Sequence, residues 1–147
     1  MILLGTLLVE NFKSLGKVHV RFPRKGSVLI TGLNEAGKSS FFESIYFALY
    51  GSPLIGRLEE VLRYGEDTSS VSLELEVDDT RLLVRRVISR NRPNQAILTV
   101  QQPGLAPETV QGVRAVNGRM VEELGKLDGD ALLNSCFVEQ KKLSKLE

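Results

Sequence analysis

Between Val28 and Tyr50 the chain reads VLITGLNEAGKSSFFESIYFALY, and no other stretch restricts the fold as strongly. Gly32 to Ser39 satisfies G-x-x-x-x-G-K-[ST]. Glycines let the backbone take positive φ and close on an anion. Successive N–H groups then point into one concavity, and the following helix adds its positive end. Lys38 supplies a point charge for β- and γ-phosphates, and the Ser39 hydroxyl is a hard oxygen ligand suited to Mg²⁺. Chance produces such a match in roughly half a percent of chains this long. The context sharpens it, because a buried strand (SVLIT, 27–31) precedes the loop and a continuous apolar helix follows. The competing reading is a glycine-rich turn that merely caps a helix.

That helix ends at Gly51, a C′ residue by type. Phe41, Ile45 and Leu49 stack at i, i+4 and i+8, while Phe42, Tyr46 and Ala48 extend the apolar surface around the helix. It should be buried on several sides. Upstream, MILLGTLLVE lacks the basic region and cleavage site of a signal peptide, so it reads as a buried first strand. KVHVRF (17–22) alternates, with Val18, Val20 and Phe22 on one side and Lys17, His19 and Arg21 on the other. His19, the only histidine, thereby falls on the polar face. Pro23 to Gly26 makes a turn.

Downstream, RLEEVLRYG (57–65) suits a short helix. VSLELEV (71–77), RLLVRRVIS (81–89) and AILTV (96–100) form a three-stranded antiparallel meander. Residues 101–112 read as a loop, and Val113, Val116, Met120, Val121 and Leu124 as one stripe of an amphipathic helix. A short helix near Asp130–Ser135, then CFVEQ and a charged helical end, KKLSKLE, complete the chain. The fold class is α/β: a P-loop NTPase with a mixed sheet, the loop-and-helix unit at its centre and the β meander at one edge.

With 147 residues and 42% hydrophobic side chains, one domain with a real core is expected. The 19 basic against 18 acidic residues leave a net charge of +1, so no bulk field draws the chain to nucleic acid or membrane. No apolar run approaches the ~18 residues of a membrane span. A single cysteine, Cys136, forms no intramolecular disulfide and is compatible with a reducing cytoplasm. The run Arg81, Arg85, Arg86, Arg90 and Arg92 invites a DNA-binding reading, but a solvated hairpin edge is favoured.

A phosphate cradle alone hydrolyses nothing. Phosphoryl transfer needs Mg²⁺ held from a second side, an oriented water and charge stabilisation on the γ-phosphate. The best acidic site after a strand is Val77-Asp78-Asp79, which reads as a solvated hairpin turn, and CFVE (136–139) carries one acid. No second metal carboxylate or general base stands out.

The order NFKS (11–14), GLNEAGKSS (32–40), FALYG (47–51), RYGEDTSSVSLELEV (63–77) and FVEQ (137–140) resembles the N-terminal lobe of SMC-type ABC ATPase heads. It is most similar to the DNA double-strand-break repair branch that includes SbcC. In that family two ends of a long chain, separated by a coiled coil, build one head. The resemblance implies that residues 1–140 are the N-terminal lobe and 141–147 the start of the coiled coil. It implies ATP and Mg²⁺ as ligands and an ATPase completed by the C-terminal lobe. Nucleotide contacts would come from Lys13, Asn34, Glu35, Ala36, Gly37, Lys38, Ser39, Ser40 and Arg63. Lys13 stands where the family often has Arg. Leu62, Arg63 and Tyr64 match a nucleotide-contacting segment. Gln140 would be the glutamine-loop residue, joining Ser39 on Mg²⁺ and Lys38 in catalysis. Glu35-Ala36 departs from the Gly-Ser or Gly-Ala of many relatives, and the carboxylate should point away from the phosphates. The implied partners are the C-terminal lobe, a second head closing over ATP, DNA and a nuclease subunit, in the cytoplasm at the nucleoid. Three rivals stay open: a self-sufficient small P-loop enzyme such as a kinase, a non-catalytic nucleotide-binding module, and a transporter-type domain.

Overall fold

A computed structural model of the chain describes residues 2–22, 35–53 and 56–125. Eight elements matter here: β1 (Ile2–Phe12), β2 (Leu15–Arg21), α1 (Glu35–Tyr50), β3 (Thr68–Val77), β4 (Thr80–Ser89), β5 (Gln95–Gln101), β6 (Glu108–Gln111) and α2 (Val113–Glu123). The six strands form one sheet in the order β2-β1-β3-β4-β5-β6, and every described pair is antiparallel. The expected strand 27–31, the 23–26 turn, the 130–135 helix, CFVEQ and the charged end lie outside the described residues.

Alternation decides which face of the sheet is covered. Leu73, Val84 and Leu98 are cross-strand neighbours, as are Leu75, Leu82 and Val100, and all six are buried. Each such side chain contributes ~1.5–3 kcal/mol when withdrawn from water. Both helices pack on this face. From α1 it receives Phe41, Ile45, Phe47, Ala48 and Leu49, and from α2 Val116 and Met120, followed by Leu124. No described side chain of α1 from Ser40 to Tyr50 is exposed, as expected of a helix covered on several sides. Phe12 and Phe47 meet with ring centroids 5.8 Å apart, joining the end of β1 to α1.

Four expectations need revision. The first strand is covered on one face only: Leu7 and Val9 are buried, but Leu8 is 44% exposed. The 57–65 segment makes a single 3₁₀ turn, Leu58–Val61, because Leu62 bridges to Phe12 and the Arg63 N–H donates to the Asn11 carbonyl at 3.0 Å. Sheet-like pairing thus captures residues that helical periodicity would have used. The supposed 101–112 loop contains β6, a short edge strand paired to β5 through Val110 and Leu98. In α2, Val121 points outward at 58% exposure, because 113, 116, 120 and 124 already trace the inward stripe at helical spacing. His19 is exposed on β2, and Asp78 and Asp79 sit at the exposed β3–β4 turn, both as expected.

Gly51 adopts φ 74° and its N–H donates to the Phe47 carbonyl at 2.8 Å, closing α1. A Cβ there would collide with the Asn117 amide oxygen and approach Arg86 Nη1 to 2.7 Å. Gly51→Ala should therefore lower stability by about 2 kcal/mol, from left-handed strain plus displacement of this contact. A urea midpoint unchanged from wild type would refute that assignment.

Candidate nucleotide-binding site

The phosphate-loop sequence enters α1 at Glu35, so the first turns of the helix carry its last residues. The unpaired N–H groups of a helix start and the dipole behind them attract an anion. Gly37 is buried, Ser39 is exposed and Ser40 is buried. The three therefore divide between packing and access. Gly32, Leu33, Asn34 and Gln140 lie outside the described residues, as do the side chains of Glu35, Ala36 and Lys38.

The NFKS turn, between β1 and β2, is brought against this helix. Asn11 and Lys13 both take positive φ, 56° and 49°. A non-glycine residue held there costs about 1–2 kcal/mol and persists only when its surroundings over-determine it. Three contacts do so. The Lys13 N–H donates to the Val61 carbonyl at 2.7 Å, the Arg63 N–H to the Asn11 carbonyl, and the Ser14 and Ser40 hydroxyls share a hydrogen bond of 2.8 Å. The Arg63 guanidinium lies directly over Gly16, where a Cβ would meet it. Lys13 and Ser14 are thereby set against the first half of α1, with Arg63 packed on the other side of the same turn. Ser40 spends its hydroxyl on Ser14, whereas exposed Ser39 presents one to solvent. Tyr64 is fully exposed beside Arg63.

Lys13 does not project into water. Its ammonium lies 2.9 Å from Glu43 Oε2, with side-chain exposures of 21% and 12%. Glu43 sits one turn beyond Ser39 on α1, so the ion pair adjoins the site. Glu43 was not legible as a site residue; its one signal was a charge inside the apolar run that follows Ser40.

Arg86 also departs from expectation. It is only 2% exposed, not part of a solvated edge. Its Nε donates to the Ala48 carbonyl at 2.9 Å and its Nη1 to Asn117 Oδ1 at 2.7 Å. A cation there faces the negative end of α1, and it ties that end to α2. Burial lowers its pKa to about 10, so it stays charged at neutral pH. Arg81 and Arg90 do match the solvated reading, each exposed and paired at the surface with Glu76 and Asp67.

Among the described residues no cluster of three or more His, Cys, Asp or Glu could cage a metal. A single exposed serine hydroxyl at a helix start suits Mg²⁺, which takes few protein ligands and keeps phosphate and water oxygens. Among the described residues no helix is long and apolar enough to cross a membrane.

A family model described as an AAA domain matches residues 6–147, and the chain belongs to that family. It is similar to the N-terminal lobe of SMC/SbcC-like ATPases of the Rad50 kind. Over 143 residues it is 29% identical to the DNA double-strand break repair Rad50 ATPase of Methanocaldococcus jannaschii, covering 97% of this chain and 14% of that protein. Against the Rad50 ATPase of Sulfolobus acidocaldarius it is 31% identical over 136 residues, covering 90% and 15%. The chain thus spans about a seventh of the relatives it matches. Its fold is shared with the solved structure of the recombination mediator protein RecF with ATP, at TM-score 0.56 and 23% identity over 71% of this chain and 28% of that one.

Proposed function

We propose that this chain binds Mg·ATP at the start of α1 as one half of a composite ATPase head. The observation that carries the reading is the seating of the NFKS turn, itself backed by Arg63, against the helix that the phosphate loop opens, beside exposed Ser39. Backbone N–H groups of the loop and Lys38 hold the phosphates, and Lys13 and Arg63 flank them. Ser39 and Gln140 would hold Mg²⁺. The ion, when bound, screens the phosphate charge and polarises the γ-phosphoryl group. Lys38 stabilises charge on the γ-phosphate, and Gln140 orients the attacking water.

The groups still missing come from a C-terminal lobe and from a second head that closes over the nucleotide. Residues 1–140 form the lobe and 141–147 begin the coiled coil. Closure would then govern DNA binding or tethering and a nuclease partner, at the nucleoid in the cytoplasm. The relatives named as double-strand break repair ATPases support this setting. Adding a C-terminal lobe is expected to raise ATP turnover at least a hundredfold over this chain alone, in keeping with the worth of positioned catalytic groups. Equal turnover by the chain alone would favour the self-sufficient P-loop enzyme instead.

A further inference from the structure

We infer that Glu43 is a positioning residue that competes with nucleotide phosphates for the Lys13 ammonium, so that the lobe holds Lys13 in reserve until ATP arrives. This rests on the reading that the start of α1 binds ATP. The geometry is specific. The Lys13 backbone is fixed on both sides, by its N–H on Val61 and by the adjacent Ser14 hydroxyl on Ser40. Only its flexible four-carbon side chain is left to move, and in this structure it ends on Glu43 at 2.9 Å. Glu43 follows Ser39 by four residues, so the two side chains share one face of α1, about 6 Å apart along the axis. A lysine can span that difference by rotating its stem, without any movement of the pinned turn.

The contest is between two anions. Both side chains of the pair are mostly buried, so their attraction is screened less than at an open surface. A triphosphate at the helix start offers more charge, but Lys13 can reach it only by leaving a carboxylate that is itself 12% exposed. That carboxylate, once abandoned, also repels the phosphates. Both effects have the same sign, and removing the charge of Glu43 should tighten nucleotide binding.

The test is a double-mutant cycle on the whole chain, with Mg·ATP affinity measured by titration calorimetry and folding checked by melting without nucleotide. Glu43→Gln is expected to tighten Mg·ATP about fivefold, the worth of one part-buried ion pair. Lys13→Met should weaken binding in both backgrounds, and by a several-fold larger factor when residue 43 is Gln. Equal factors would overturn the inference. So would a smaller factor in the Glu43→Gln background, which would mean that Glu43 aims Lys13 at the nucleotide instead of withholding it. Should Glu43→Gln fold poorly, Glu43→Ala serves in its place. Lys38→Ala in the same assay separates the two ideas. Loss of binding there with equal Lys13 factors removes only the role of Glu43, whereas no binding by the wild type removes both.

Discussion

Lys38→Ala is expected to abolish the stabilisation that Mg·ATP confers. A ligand at a hundredfold excess over its Kd adds about 2.7 kcal/mol to the folded state. For a chain of this size that is a melting-temperature rise of roughly 6–10 °C. The lysine ammonium is the single full positive charge in the G-x-x-x-x-G-K-S loop, Gly32 to Ser39. Without it the phosphates face backbone dipoles alone, and an affinity loss of about a thousandfold leaves less than about 0.1 kcal/mol, no measurable shift at the same ATP concentration. The measurement is thermal melting of wild type and variant, with and without Mg·ATP, repeated with a C-terminal lobe present. An unchanged ATP-dependent rise in the variant would sink the nucleotide-site reading. A rise without turnover in the wild-type chain is the pattern expected of half a site.

The second large effect lies at the opposite end of α1. Arg86→Ala should cost about 3 kcal/mol. It leaves a cavity in the buried face of the sheet, and it strands the Ala48 carbonyl and the Asn117 amide oxygen without their donor. Arg86→Met refills most of the volume and leaves only the polar loss, so it should cost nearer 1–2 kcal/mol. The folded-state pKa of Arg86 lies below the unfolded one. Its charge therefore opposes folding at neutral pH, and that opposition fades only as pH rises above about 10 towards the ordinary arginine value. Urea unfolding of the three proteins at pH 7 decides the matter. A loss below 1 kcal/mol for Arg86→Ala would mean that the arginine is not the tie between α1 and α2.

Arg86 also shows where sequence reading succeeds and where it stops. The period-two alternation of the meander was legible, and the same alternation carries Leu82, Val84, Arg86 and Ile88 to the covered face. Grouped by charge with Arg81, Arg85, Arg90 and Arg92, Arg86 looked solvated; read by register, it pointed inward. The acceptors that make burial tolerable, Ala48 and Asn117, come from two other elements and leave no local trace. The phosphate loop and its helix were legible because anion binding needs glycine, lysine and serine at fixed spacing. The 3₁₀ turn at Leu58–Val61 was not, because the partner that captures Leu62 is Phe12, fifty residues upstream. The Lys13–Glu43 pair failed for the same reason: two ordinary charged residues become informative only when a tight turn sets one over the other. Asn34 and Gln140 lie outside the described residues, so their place in the site rests on motif order.

The pairing of β1 with β3 has a consequence for how the protein is made. Val9 lies beside Val71 and Leu4 beside Leu75, so these strands close a loop of about sixty residues whose ordering cost must be met before the contacts repay it. The phosphate loop and α1 both lie inside that loop. On a ribosome they emerge before β3 and β4, with Phe41, Phe47 and Leu49 having only the β1–β2 hairpin to cover them until those strands follow. The helix that would greet ATP is therefore a late product of sheet closure, and the nascent chain passes through an interval with a half-covered apolar helix, when association with other chains competes with folding.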